Sequence, residues 1–327
     1  MYKRINQKME RIIIDSDPGI DDTCAILLAL ASDAITVEGI TTVEGNGTLE
    51  HVTRNALRIL SLAGREDVPV FKGCRLPGHD FSVVNEIHGK DAFGDVFEDD
   101  INDSSCESEH AVDFIIRTVS ENPGEITIAA LGPLKNIAQA IVKAPEVMKR
   151  VRRLILMGGA IQGGNVTPVA EANIHGDPEA AHIVFSSGID DILMVGLDAT
   201  SKFLINADLR ELFVHLDDAI AQAIYKISRI YVDFYWESSH IIGFVPHDAL
   251  VIMYLIDQSI IDTRDYRITV VTEEGPSLGR TIAQDENPNA KVCIDLHYRD
   301  AIRLFYKTMF PEESELLDHV FKQMWGK

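Results

Sequence analysis

Four carboxylates fall within eight consecutive residues, Asp15-Ser16-Asp17-Pro18-Gly19-Ile20-Asp21-Asp22. The run stands where an apolar stretch, Arg11-Ile12-Ile13-Ile14, hands over to the apolar segment 23–30. The first reads as a short buried strand and the second as a helix, with Pro18-Gly19 as the turn between them. Like charges ~4 Å apart repel by about 4 kcal/mol per pair at an effective dielectric near 20. Such groups gather at a strand's carboxyl end when something positive sits among them. A hard divalent cation, Ca²⁺ or Mg²⁺, answers to that description because both take oxygen ligands.

Other polar clusters follow along the chain. Val43-Glu44-Gly45-Asn46-Gly47-Thr48 places an amide between glycines, where Asn46 reads as a turn former or as a side chain brought close to a ligand. Gly132-Pro133-Leu134-Lys135-Asn136 follows an apolar run ending at Leu131, whose backbone carbonyl could serve a hard cation. Pro133 and Lys135 otherwise read as the opening of a helix. The densest polar stretch runs from Gly158-Gly159 through Asn165 to Glu171-Ala172-Asn173. Its glycines fit neither phosphate-loop pattern. Asn165, Glu171 and Asn173 instead offer amide donors and a carboxylate acceptor suited to vicinal hydroxyls, or they line a solvated loop. Asp177-Pro178 reads as a helix cap followed by proline at the first helical position. In Phe244-Val245-Pro246-His247-Asp248, Asp248 reads as a cap or as a further cation ligand, and His247 as a proton donor near neutral pH. His88 and His240 are further candidates.

The elements that must position these groups alternate. Strands are expected over 12–15, 35–41, 126–131, 154–157, 192–197, 266–272 and 291–296. Helices are expected over 49–63, 110–120, 134–142, 178–186, 217–236, 248–256 and 299–309. Alternating β and α with continuously apolar strands predicts an α/β fold, a mainly parallel, doubly wound (Rossmann-like) sheet with helices on both faces. Ligands bind at the strand carboxyl ends of such sheets, and the polar clusters fall there repeatedly. The whole chain, 1–327, is read as one domain.

Composition narrows the partners. Against 30 basic residues stand 51 acidic ones, a formal charge of −21 in 327 residues of which 46% are hydrophobic. That surface repels phosphate backbones and anionic headgroups, so nucleic acid and membrane are excluded as expected partners in favour of a small neutral or cationic molecule. The polar start, Met1 to Arg11, lacks the apolar core of a signal peptide. Cys24, Cys74, Cys106 and Cys293 form no C-x-x-C pair, so reduced thiols in a cytoplasmic protein are expected. Residues 98–105 read as an acidic surface loop.

Taken in order, these segments resemble the nucleoside hydrolases, the inosine–uridine-preferring nucleoside N-ribohydrolase family. The opening Asp-Ser-Asp-Pro-Gly-Ile-Asp-Asp is similar to its N-terminal signature. Thr41-Thr42-Val43-Glu44-Gly45-Asn46, Leu156-Met157-Gly158-Gly159, Val169-Ala170-Glu171-Ala172-Asn173-Ile174, Asp177-Pro178-Glu179-Ala180-Ala181 and His247-Asp248 follow in the family's order, covering roughly 11–310. The resemblance implies hydrolysis of the N-glycosidic bond of ribonucleosides, inosine or pyrimidine nucleosides such as uridine, as part of nucleoside salvage. It implies Ca²⁺ held by Asp17, Asp22, Asp248 and the Leu131 carbonyl, with Asp21 as the base that deprotonates the attacking water. Asp15 would orient the loop from behind. Asn46, Met157, Asn165, Glu171 and Asn173 would bind substrate, with an oxocarbenium-like sugar stabilised by the anionic pocket. His247 would activate the leaving base and His88 would line its pocket, beside Tyr235 and Trp236. Homodimers or homotetramers are common in the family. The chain departs from the pattern at Ala172, where many members carry Phe, at Ala249, where Pro is common, and at Leu131 in place of a frequent Thr.

Rival readings fare worse. A dehalogenase-type phosphatase wants Thr or Val where Gly19 stands, and an EF-hand loop from Asp15 would need an acidic ligand where Ile26 stands. A non-catalytic nucleoside- or ribose-binding protein on the same scaffold would not need Asp21, and a hydrolase of modified ribosides remains a variant of the main reading.

Overall fold

The computed structural model describes residues 9–76, 78, 80–97 and 106–326; the start of the chain up to residue 8 and the acidic loop 98–105 lie outside the described residues. Eleven strands are described: β1 (Glu10–Ser16), β2 (Ile35–Thr42), β3 (Val70–Lys72), β4 (Ile126–Ala130), β5 (Arg153–Met157), β6 (Ile192–Val195), β7 (Ile205–Asn206), β8 (Gly243–Phe244), β9 (Ile261–Val270), β10 (Thr281–Gln284) and β11 (Ala290–Leu296). Nine of them form one sheet in the order β10-β9-β11-β6-β5-β4-β1-β2-β3. From β3 to β11 every pairing is parallel, and β9 and β10 add an antiparallel edge. The order reverses at β1, which has β2 on one side and β4 on the other. That switch point opens a crevice above the strand ends, where open α/β sheets bind ligands.

Strand side chains alternate between two apolar layers. Ile12, Ile14, Ile155, Met157, Leu193 and Val195 pack into one. Ile13, Ile128, Leu154, Leu156, Ile192 and Met194 pack into the other. The period of two thus buries both faces, as a helix-covered parallel sheet requires. Helix Ile20–Ala31 is buried at every residue from Ile20 to Ala29, so it has no polar stripe and sits wholly inside one layer.

The structure moves several expected boundaries. The strand expected over 192–197 stops at Val195, because Gly196 starts a four-residue helix, Leu197–Thr200. The strand expected over 266–272 begins at Ile261 and ends at Val270. Helices Ser82–His88, Ala207–His215 and Ser314–Trp325 and strands β3 and β10 had no counterpart in the sequence reading.

Candidate active site

The acidic segment leaves β1 and turns into helix Ile20–Ala31, whose first turn carries Asp21 and Asp22. Carboxylates there meet the positive end of the helix dipole and its free N–H groups. Asp22 Oδ1 accepts from Ser16 Oγ at 2.6 Å, and Oδ2 accepts from the Gly19 N–H and Asn46 Nδ2, both at 3.0 Å. Asp17 Oδ2 accepts from the Asn46 N–H at 2.8 Å. Its carboxylate is wedged between two glycines: a methyl on Gly45 would lie 2.1 Å from Oδ2, and one on Gly132 would lie 2.4 Å from Oδ1. Asp15, one pleat deeper, accepts from Thr41 Oγ1 at 2.5 Å and Asn136 Nδ2 at 2.8 Å.

Asp248 arrives from 226 residues downstream of Asp22 in sequence, on the turn between β8 and helix Ala249–Ile256. It occupies the N-cap position yet its side chain makes no capping hydrogen bond, which corrects the cap reading. Its oxygen instead joins those of Asp21 and Asp22 within 4.8 Å. Asp177, by contrast, is the cap it was expected to be, accepting from the Ala180 N–H at 2.9 Å.

Burial, then mutual repulsion, pushes the Asp17 and Asp248 carboxyls well above the usual carboxylate range and the Asp21 carboxyl up to about 8. Burial likewise raises Asp15 to about 7. Among the described residues lining the cleft, Lys135 is the single Lys or Arg, and it is bonded to Asp177 at 2.7 Å. Asp17 Oδ1, Asp21 Oδ1 and Asp15 Oδ2 are buried without a hydrogen-bond partner. Buried acceptors in that state cost about 1–3 kcal/mol each. A hard cation with several oxygen sites relieves both the repulsion and the unmet acceptors, so the donor set fits Ca²⁺ or Mg²⁺. Asp17, Asp22, Asp248 and the Leu131 carbonyl are of the right chemistry. The tight cluster contains Asp21 rather than Asp17, so Asp21 stands close enough to serve as ligand or as base.

Above this floor lies a cleft of about 940 Å³. Asp21, Asn46, Leu131, Met157, Asn165, Glu171, Asn173, Tyr235, His88, His247 and Asp248 all line it, so sequence-distant candidates converge. Their hydrogen bonds refine their parts. Asn46 spends its Nδ2 on the Asp17 carbonyl and Asp22, bracing carboxylates as well as facing the cleft. Glu171 caps helix Ala172–Gly176 and also accepts from the Gly159 N–H at 2.8 Å, tying together two ends of the polar loop. Asn173 Nδ2 donates to the carbonyls of Leu131 at 2.7 Å and Met157 at 3.1 Å. Asn165 Oδ1 accepts from the Ala172 N–H at 2.9 Å, and its side chain is exposed.

Both histidines are buried and neutral. Burial and then the nearby His247 push His88 down to about 3; burial pushes His247 down to about 4. His88 Nδ1 accepts from the Ile20 N–H at 3.3 Å, which leaves the proton on Nε2. His247 bonds through Nε2 to Tyr235 OH at 3.0 Å and through Nδ1 to Thr200 Oγ1 at 2.8 Å.

The aromatic expectation needs correcting at Trp236. It is 50% exposed, absent from the cleft wall, and packs on His240, itself an exposed left-handed C-cap. Tyr231, Phe234, Tyr235 and Ser238 of helix Ala219–Ser239 line the cleft instead. Their spacing of three, four and seven residues from Tyr231 was the signal available in the sequence.

The family model described as inosine-uridine preferring nucleoside hydrolase matches residues 12–302 of the chain. The chain belongs to this family. The hydrolase is 35% identical over 313 residues to the inosine-uridine preferring nucleoside hydrolase of Crithidia fasciculata, covering 95% of this chain and 98% of that one. It is 41% identical over 257 residues to "Probable uridine nucleosidase 2" of Oryza sativa subsp. japonica, covering 77% and 76%. A solved plant nucleoside hydrolase superposes with a TM-score of 0.87 at 35% identity, over 92% of this chain and 98% of its own. The parallel sheet and its crevice are therefore those of a nucleoside hydrolase.

Proposed function

We propose that this hydrolase cleaves the N-glycosidic bond of ribonucleosides, uridine and inosine foremost, with a Ca²⁺ ion held by Asp17, Asp22, Asp248 and the Leu131 carbonyl. The observation that carries the reading is the pair of buried, unpartnered oxygens, Asp17 Oδ1 and Asp21 Oδ1, on the floor of a cleft whose walls carry both amides and neutral histidines. When bound, the ion supplies Lewis acidity toward water and a fixed point for vicinal hydroxyls.

Asp21 takes the proton of the attacking water, its carboxylate standing within 4.8 Å of the Asp22 and Asp248 oxygens with Oδ1 unpartnered. Asn165, Glu171 and Asn173 grip the ribose, with Asn46 and Met157 closing on it from the carboxylate side and β5. As the glycosidic bond lengthens, the sugar gains positive charge, and the surrounding carboxylates stabilise it at fixed positions. Toward the base, Tyr231, Phe234 and Tyr235 supply aromatic surface. His247, held by Tyr235 and Thr200, and His88, through its Nε2–H, offer hydrogen bonds to the departing base, and the proton the base finally gains is balanced by the one the water loses to Asp21. The free thiols of Cys24, Cys74 and Cys293 suit a reducing, cytoplasmic setting, and the chain is proposed to work as a homodimer or homotetramer.

The test is release of free ribose from uridine, cytidine, inosine, adenosine and guanosine, with Ca²⁺ and after chelation. Calcium-dependent release supports the hydrolase and ranks the bases. A folded, calcium-loaded protein that binds nucleosides and releases no ribose is the non-catalytic binder instead.

A further inference from the structure

Asn55 lies in helix Leu49–Leu62, fully buried, and takes no part in the cleft wall. One hydrogen of its amide nitrogen goes to the Pro18 carbonyl at 3.0 Å and the other to the Asp91 carbonyl at 2.9 Å. Its oxygen accepts from Arg58 Nη1 at 3.1 Å, and Arg58 also pairs with Asp91 Oδ2 at 3.7 Å. Pro18 belongs to the carboxylate turn between Asp17 and Asp21. Asp91 belongs to the turn that follows His88. A single side chain therefore joins the two loops from behind.

The joint needs a clamp. Gly89, Ala92, Gly94 and Asp95 all have positive φ, so Ala92 and Asp95 adopt a conformation that side-chain-bearing residues disfavour. Across the gap, a methyl on Gly19 would lie 2.7 Å from His88 Nδ1, so the two loops touch with no slack. The direct link between them, Ile20 N–H to His88, is long at 3.3 Å. The carboxylate turn has other polar braces in Ser16, Gly19 and Asn46; segment 88–95 is packed through buried Ala92 and Phe93 and through His88 against Tyr231, and its polar ties at Asp91 run to Asn55 and Arg58.

We propose that Asn55 is a positioning residue that registers the His88-bearing segment against the carboxylate turn, and so aligns the base-binding side of the cleft with the sugar-binding side. The proposal rests on the placement of the base beside His88 under the function proposed above. Loss of the clamp loosens segment 88–95 at Asp91, shifting His88 relative to the carboxylates, which keep their own braces.

The experiment compares Asn55→Leu and the milder Arg58→Met with the parent enzyme on two substrates. Uridine needs help for its base to leave; 4-nitrophenyl β-D-ribofuranoside carries a leaving group that departs without a proton. For either variant, kcat on uridine is expected to fall by about tenfold or more, and on the nitrophenyl riboside by less than about threefold, as a misplaced leaving-group contact dictates. Hydrogen exchange is expected to quicken over residues 88–95 and to stay unchanged over 15–22. Equal losses on both substrates, or unchanged exchange over 88–95, overturn the proposal. Arg58→Met decides the question if Asn55→Leu does not fold. A parent enzyme without ribose release would overturn the proposed function separately, and the exchange pattern would still decide whether Asn55 is a clamp.

Discussion

Replacing Gly45 by Ala tests the site with one methyl group. The new Cβ would stand 2.1 Å from Asp17 Oδ2 and 2.9 Å from both Asp17 Cγ and Pro133 Cδ. Pro133 is rigid and on the far side, so the carboxylate must give way. To reach ordinary contact near 3.4 Å it retreats by about 1.3 Å, and misplacement of about 1 Å at a reacting centre can cost ~100-fold in rate. The retreat also breaks the 2.8 Å bond from the Asn46 N–H. Gly45→Ala is therefore expected to lower kcat on uridine by about two orders of magnitude and to weaken Ca²⁺ binding measured by calorimetry. The Gly45 backbone itself is not in the left-handed region, so the effect is steric and local. A folded variant with parental kcat and parental Ca²⁺ affinity would falsify the placement of Asp17 in the metal site.

Other perturbations give distinct readouts. Asp21→Asn is expected to lower kcat by about 10²–10⁴-fold with little change in inhibition by free ribose, and an effect confined to KM would remove Asp21 as the base. Tyr235→Phe deletes the hydroxyl bonded to His247, so kcat on uridine should drop by about three- to tenfold, with the nitrophenyl riboside spared. Calcium at 100 times its dissociation constant should add about 2.7 kcal/mol of stability, visible as a higher melting temperature that chelation removes. The pH dependence has a definite sign. Asp15 and Asp21, at about 7 and about 8 when folded, hold protons that the unfolded chain releases near its ordinary value. Their contribution is present at low pH and lost as pH rises through those values. His88 and His247, at about 3 and about 4, act oppositely and lose their contribution as pH falls from about 6.5. Between about pH 6.5 and 8 only the carboxylates operate, so the calcium-free melting temperature should decline there. A calcium-free profile that rises across that window would contradict the burial of uncompensated carboxylates.

The sheet and the acidic turn were legible because local pattern decides them. Apolar runs of strand length, a Pro-Gly turn and a following apolar helix need no partner to be recognised. Asp248 was legible as a polar residue before a helix, but its choice between cap and cation ligand depended on where that helix docks. Trp236 was misplaced because neighbours on a helix point about 100° apart, so Tyr235 facing the cleft turns Trp236 away. Asn55 sits in an amphipathic helix where a lone amide looks like surface; its burial exists only because two loops from elsewhere in the chain descend onto it. Helix Ser82–His88 escaped notice because its seven residues are too short to show a period. Interactions that close over long sequence separations leave no local trace, and most of the site's hydrogen bonds are of that kind.

The sheet's borders have a consequence for self-association. It ends at β3, three residues long, on one side and at β10, four residues long, on the other. Along β3 the outer carbonyl of Val70 already accepts from the Glu107 N–H at 2.9 Å. Beyond the end of β10 the outer border of β9 runs on from Ile261 to Tyr266, and there the exposed charges of Asp262, Arg264 and Asp265 oppose pairing by an incoming strand. Copies of this protein that meet are therefore expected to join through helices and loops, because the short borders at β3 and β10 and the charged border of β9 make a poor template for one continuous β-ribbon.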